Sequence, residues 1–372
     1  MTTQGSTMTE RHQLAVALNA IFYDSPGRIT SYFSLFESWT MFRENWGLVA
    51  AQLSDRLLDI ATTRFKAFNL DRLLQVCEDK GVHLLYWDSP YYPSLLKELS
   101  DAPPVLYVKG QLATLQADCL AVVGSRRMTE YGRKVTVAFV SELVSSFVIV
   151  SGLAHGVDGT AHQVTLDQGG RTIAVVATGL DVMYPSAHRE LSRSIIERGA
   201  ILSEYPLGTD AAPYRFPQRN RLISGLSRGV LVTESAIKGG AMLTASEAVS
   251  QNRDVFAVPG SVFNELSDGT HHLIRQGGKC VTHPKDILKE YTYLPLPFTE
   301  SKRPEASVGT WVAPVLEPAH QVVYDALAQA HELNDLVVET GYPVHVLLPI
   351  LTLLELNGHI ELVPGNRYQR CV

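Results

Sequence analysis

Short apolar runs in this 372-residue sequence end repeatedly in glycine or a small polar residue, and an arginine stands beside the first of them. Gly124, Ser125 and Arg126 follow CLAVV, Ser151 and Gly152 close FVIVSG, Gly179 closes TIAVVATG, and Gly239 and Gly240 lie just beyond GVLVTE. Glycine lets a ligand approach the backbone closely and leaves N–H groups free to donate. A helix starting there adds the positive end of its dipole. Arg126 can offer a planar fork of donors to a phosphate. One such turn is just a turn. A row of them on one sheet edge, one bearing arginine, points to an anion site.

A second group lies in RFPQRNRLISGLSR, 215–228, which holds four arginines and no acid. Arg215, Arg219 and Arg221 surround Phe216, Pro217 and Asn220. Arginines grip phosphates, and an aromatic ring stacks on an unpaired base. The alternative is an arginine-rich helix start paired with neighbouring acids. Beside a glycine-lined crevice, the binding role is the preferred reading, with single-stranded DNA as ligand.

Other chemistry finds less support. GSRRMTEYG, 124–132, is neither the G-x-G-x-x-G fingerprint nor a G-x-x-x-x-G-K-[ST] loop, so no dinucleotide or ATP cofactor is expected. His155, His162 and Asp158 lack further ligands for a metal, and Asp158 suits a helix start. Ser125 and Ser151 sit in no G-x-S-x-G elbow. Asp158, Glu204 and Glu234 read either as acid–base groups or as buried carboxylates capping loops. No catalytic residue, metal or cofactor is assigned.

The elements that must position these residues follow from the pattern. Apolar runs at 119–124, 147–152, 172–179, 200–204, 229–234 and 254–260 alternate with helix-compatible segments such as 131–146 and 188–199. Continuous apolar strands between helices predict an α/β domain whose parallel sheet is covered on both faces. Ligands then bind at the carboxyl ends of its strands. Residues 11–80 show helical spacing in pieces, as in Leu14, Ala17, Leu18 and Ile21, and residues 88–110 read as an extended crossing. Five prolines between 295 and 318 mark a linker. Beyond it the pattern is helix, helix, helix and hairpin, a winged helix. Val262, Phe263, Leu273 and Ile274 are read as interface or core.

The net charge is −6, which taken alone argues against nucleic acid. Its distribution qualifies that. Residues 118–290 carry 18 basic and 17 acidic side chains, whereas 316–372 carry two arginines against seven acids. The third C-terminal helix, 343–357, has no Lys or Arg, so this winged helix is expected to have a protein-contact or regulatory role, not to read duplex DNA. Cys77, Cys119, Cys280 and Cys371 form no C-x-x-C pair and read as reduced thiols. No run approaches 18 uncharged apolar residues and the polar start lacks a signal-peptide core, so no membrane association and a cytoplasmic location are expected.

The motifs VVGSRRMTEYG (122–132), VSGLAHGVDGTAH (150–162), ATGLDVMYP (177–185), SEYPLGT (203–209), FPQRNRLISGLS (216–227), GAMLTASEA (240–248) and VFAVPG (255–260) together resemble the DNA-processing protein A family (DprA/Smf). The resemblance implies an extended Rossmann-like core (113–290) between an N-terminal helical, SAM-like domain with its connector (1–112) and, after a linker (291–315), a winged-helix-like domain (316–372). It implies a non-enzymatic, homodimeric protein that binds single-stranded DNA without strong sequence preference and loads RecA during natural transformation. By matching position, Arg126, Phe216, Arg219 and Arg221 would contact DNA, while Gly124, Ser125, Ser151, Gly152, Gly179 and Gly240 would line the pocket. Many members carry a lysine ahead of FP-x-RNR; here Arg215 would replace it. Two other readings compete: a nucleotide-binding regulator, and a nucleoside-monophosphate phosphoribohydrolase, whose P-G-G-x-G-T-x-x-E motif is not matched by VPGSVFNELSDGT (258–270).

Overall fold

The computed structural model describes residues 8–291, 318–327, 331–356, 359–363 and 367–370. Two compact units divide the chain, Met1–Phe298 and Thr299–Val372.

The first unit is built on a sheet of nine strands: β1 His83–Tyr86, β2 Val105–Gly110, β3 Cys119–Val123, β4 Val148–Ser151, β5 Thr172–Val175, β6 Ala200–Ser203, β7 Gly229–Val232, β8 Asp254–Ala257 and β9 Lys279–Cys280. Their order is β1-β2-β6-β5-β4-β3-β7-β8-β9. From β6 to β9 neighbours are parallel; β1 and β2 add on antiparallel. The central strands are apolar throughout because both faces are covered. In β3, Cys119, Ala121 and Val123 enter one core, while Leu120 and Val122 enter the other. The first core is closed by helices Arg215–Gly225 and Gly240–Ser250, through Leu222, Ile223, Ala241 and Ala245. The second is closed by Glu130–Leu143 and Val157–Asp167, through Phe139, Leu143, Val157 and Ala161.

The expected α/β architecture is therefore present, with more strands than the apolar runs indicated. Residues 88–110, read as a crossing, supply β2, which pairs through Tyr107–Gly110 with Ala200–Ser203 of β6. The sheet continues across position 112, where the N-terminal domain was expected to end. Helix Glu10–Phe22 packs onto that edge: Asn19, 1% exposed, donates to Glu204 O (2.8 Å) and accepts from the Tyr107 hydroxyl (3.1 Å). Leu14, Ala17, Leu18 and Ile21 are all buried, as their spacing required. Leu273 and Ile274 belong to the core, whereas Val262 and Phe263 are 74% and 96% exposed.

The second unit is a winged-helix domain. Helices Pro318–Ala326, Leu333–Thr340 and Val344–Leu356 enclose Val323, Tyr324, Leu336, Leu347, Leu351 and Leu354. A short strand, His331–Glu332, joins the expected hairpin Ile360–Val363 and Arg367–Arg370, making three strands where two were expected. From residue 292 onward the expected linker lies outside the described residues, as does Cys371. Among the described residues no single helix is long and apolar enough to cross a membrane.

Candidate nucleic-acid interface

The direction of winding reverses at β3. Its neighbours are β4, which leads on to β5 and β6, and β7, which leads on to β8 and β9. Such a switch point opens a crevice beyond the carboxyl ends of the two diverging strands. Here it has a volume of about 610 Å³ and is lined by Gly124–Arg127 after β3 and by Ser235, Ala236, Gly239 and Gly240 after β7. Helices Arg215–Gly225 and Gly240–Ser250 both aim their N-termini at this region, and neither has a side-chain cap.

The loop after β3 is held from two sides. Ser125 N–H donates to Glu234 O (2.7 Å), and Ser125 O accepts from Val157 N–H (3.2 Å). The buried Glu234 carboxylate accepts from Thr129 N–H (2.7 Å) and the Thr129 hydroxyl (2.6 Å), and Thr129 in turn caps helix Glu130–Leu143. A Cβ on Gly124 would lie 2.6 Å from Val157 Cγ2 and 2.8 Å from Glu234 O, so the turn requires glycine. Arg126 emerges from this anchored loop exposed, its guanidinium 5.2 Å from the centre of the Phe216 ring. No described acid pairs with it. Arg127 lies exposed on the same rim.

The predicted site residues divide into two sets. Gly124, Ser125, Arg126, Phe216, Arg219, Asn220, Gly239 and Gly240 line one crevice. Ser151, Gly152, Gly179, Arg215 and Arg221 are not in its lining. The Ser151 hydroxyl is buried and donates to Val122 O (2.6 Å), tying β4 to β3. Gly179 lies in a turn where its N–H donates to Thr209 O (2.9 Å) and a Cβ would come within 2.5 Å of Pro206 O. Arg215 pairs with Asp24 (2.8 Å), so the arginine standing where the resemblance places a lysine is spent on the N-terminal helices. Burial alone would raise the Asp24 carboxyl; Arg215 and Arg64 hold it below the usual carboxylate range. Arg221 is buried against Glu204 (2.5 Å) and Asp101 (3.1 Å). Burial opposes its charge, and the two acids more than offset that, keeping it protonated.

Arg219 is intermediate. It forms part of the crevice floor yet is 3% exposed. Its guanidinium donates to the carbonyls of Gly152 (3.0 Å) and Val175, and its Nε donates to Asn220 Oδ1 (3.2 Å). Burial pushes its pKa down to about 10, with Asp158 opposing, so it stays charged at neutral pH. Gly152 makes room for it: a Cβ there would lie 2.7 Å from Arg219 Nη2 and 2.8 Å from Asp158 Oδ2.

Asp158 and Glu234 thus cap loops and Glu204 pairs with Arg221; the Asp158 carboxylate accepts from Gly152 N–H (3.1 Å). Among the described residues no cluster of three or more His, Cys, Asp or Glu could hold a metal. His162 is fully buried, with Nδ1 2.7 Å from the Thr172 hydroxyl. That hydroxyl donates to Ile149 O (2.6 Å), so His162 Nδ1 carries the proton and Nε2 is left without a partner. Burial pushes the His162 pKa down to about 3. An unfolded histidine takes up a proton below about pH 6.5. The unfolded chain therefore binds more protons, and stability falls as pH drops from 6.5 toward 3. Between pH 7 and pH 5 this group is expected to remove about 2 kcal/mol. His162→Asn, which keeps a donor to Thr172, should lose that share of the pH dependence; urea unfolding at the two pH values measures it.

Sequence reasoning missed Tyr184 and Arg127 at the crevice. Arg127 was detectable as the second arginine of GSRR, and Tyr184 lay within ATGLDVMYP (177–185), whose glycine was singled out while its tyrosine was passed over.

Comparison with known proteins agrees with this geometry. The model of the DNA recombination-mediator protein A family matches residues 83–292, and that of the DprA winged helix domain matches residues 311–366. Protein Smf of Escherichia coli is 38% identical over 312 residues, 82% of each chain. DNA processing protein DprA of Streptococcus pneumoniae is 46% identical over 202 residues, 54% of this chain and 72% of that one. The X-ray structure of DprA from Streptococcus pneumoniae superposes with a TM-score of 0.66 at 35% identity, covering 79% of this chain and all of the other. A structure of DNA processing protein A from Helicobacter pylori, described for its single-stranded DNA binding mode, superposes at 0.52 with 29% identity, covering 57% and 96%. With the family model matching more than half of the chain and Protein Smf 38% identical over 82% of its length, the chain belongs to the DNA recombination-mediator protein A (DprA/Smf) family.

Proposed function

We propose that the crevice binds single-stranded DNA without strong sequence preference, and that the protein delivers the bound strand to RecA without a catalytic step of its own, as a homodimer in the cytoplasm. The observation that carries this reading is Arg126, exposed and without an acidic partner, set over the Phe216 ring beside glycine-lined main chain. A guanidinium for the phosphate and a ring for the base are the two contacts a single strand offers regardless of sequence. Gly124, Ser125, Asn220, Gly239 and Gly240 complete the wall. The exposed Val262 and Phe263 support self-association through the α/β unit, which light scattering checks. Co-precipitation with RecA on coated single strands checks the delivery step.

The central experiment is a salt series with single-stranded and duplex oligonucleotides. Affinity for single strands is expected to exceed that for duplex and to fall steeply with salt. Arg126→Ala should weaken binding at least about tenfold, the scale of a lost charge-assisted hydrogen bond. It should do so equally for all sequences and make the salt slope shallower by about 0.7. Unchanged affinity at moderate salt would remove the crevice from the binding path. A thermal shift with mononucleotides but not with oligonucleotides would favour a nucleotide-sensing role instead.

A further inference from the structure

We infer that Tyr184 forms a second base-stacking subsite next to Phe216, so that two unpaired nucleobases are held at the crevice mouth. The inference rests on the single-strand reading above and extends it to a residue outside the GSR and FP-x-RNR motifs.

Tyr184 lies on the segment that follows β5 and lines the same crevice as Gly239 and Gly240. The backbone around it is pinned. The Thr178 hydroxyl donates to Val182 O (3.1 Å), Val182 N–H donates to Gly179 O (2.9 Å), and His188 N–H donates to Pro185 O (3.1 Å). The His188 ring is fastened in turn, its Nδ1 2.9 Å from Leu153 O. On this fixed support the Tyr184 side chain is 42% exposed, and its hydroxyl has no hydrogen-bond partner among the described residues. A large ring carried on a fixed stretch of backbone and left partly open to solvent has a face available to a base, and a supported ring loses little entropy when a base stacks on it.

The neighbouring groups indicate what covers it. The Tyr184 and Phe216 rings are 5.3 Å apart and inclined by 48°. Because they are tilted, they do not satisfy each other face to face, and each keeps a π surface available. Arg126 lies toward Phe216, 5.2 Å from its centre, which places phosphate affinity within reach of both rings. Two aromatic surfaces beside one exposed cation match successive nucleotides of a single strand, where bases can splay onto separate rings. A duplex keeps its bases stacked on each other and gains nothing from the second ring.

The test compares wild type, Tyr184→Ala, Tyr184→Phe and Arg126→Ala on two strands of equal length, one of thymidine nucleotides and one of abasic nucleotides. Tyr184→Ala is expected to weaken binding to the thymidine strand about tenfold, the scale of one stacked base. It should leave binding to the abasic strand unchanged, and Tyr184→Phe should restore wild-type affinity. Arg126→Ala should weaken both strands. Equal loss on both strands with Tyr184→Ala would mean that the ring only supports the crevice, and no loss on either would mean that it touches no base; each overturns the inference while leaving the single-strand reading intact. Wild type that binds neither strand would overturn that reading itself.

Discussion

Arg219→Ala is expected to destabilise the α/β unit by about 3–5 kcal/mol, the scale of removing a buried, hydrogen-bonded charge that also offsets a nearby buried carboxylate. The guanidinium is 3% exposed and its donors are used inside the protein, on Gly152 O and Val175 O at the ends of β4 and β5. Truncation leaves those carbonyls without donors and strips Asp158 of the cation that offsets its burial. A unit of this size loses roughly 2–4 °C of melting temperature per kcal/mol, so a fall of about 10 °C is expected. Arg219→Lys keeps the charge but cannot span two carbonyls, and should recover only part of the loss. Arg126→Ala, at an exposed site, should melt within about 1 °C of wild type, a change of under 0.5 kcal/mol. Both variants are expected to bind DNA less well, for different reasons, and the melting curves separate them. If Arg219→Ala melted like wild type yet lost DNA binding, the guanidinium would have to face the ligand.

This contrast shows where sequence reasoning was strong and where it was blind. The strands β3, β4, β5, β7 and β8 were legible because each is a run of apolar residues buried on both faces, and burial of that kind leaves no alternation to misread. β1 and β2 were not legible. They lie at an antiparallel edge among prolines and tyrosines, where pairing with β6 is set by residues about 100 positions further on, as in Tyr107 with Ser203. The glycine turns were legible as turns, but their roles were not. Gly124 faces the crevice while Gly152 and Gly179 make room inside the protein, and that division depends on side chains and carbonyls brought in from distant segments.

The arginines teach the same lesson. RFPQRNR contains no acid, which made all three look available. Their partners lie elsewhere: Asp24 is 191 residues from Arg215, and Asp101 is 120 from Arg221. On a helix Arg215 and Arg219, at i and i+4, share a face, while Arg221, at i+6, is turned away from both, so the three could not share one ligand. Of the cations singled out, Arg126 alone stands exposed and without an acidic partner, because the loop carrying it is anchored through main chain and leaves its side chain unused.

That anchoring makes Gly156→Ala the strongest test of the loop itself. Gly156 has φ +77°, a conformation that alanine adopts only under strain. A Cβ there would sit 2.2 Å from Ser125 O and 2.8 Å from the carbonyl carbon of Arg126. The loop cannot retreat freely, because Ser125 N–H is bonded to Glu234 O (2.7 Å) on its other side. Backbone strain of about 1–3 kcal/mol adds to an overpacking cost of similar size, so a loss of about 3 kcal/mol or more is expected. Whatever relief the structure finds must move Ser125 and Arg126, so affinity for single strands should fall at least as far as in Arg126→Ala, although the Arg126 side chain itself is retained. Gly169→Ala supplies the control. Its φ is similar, +73°, but a Cβ there meets nothing within 4 Å. It should lose about 1 kcal/mol from conformation alone and bind DNA as wild type does. Chemical unfolding and fluorescence anisotropy on the two variants read both quantities. Equal affinity for the pair would mean that the position of the loop after β3 does not govern binding, and the role of Arg126 would fall with it.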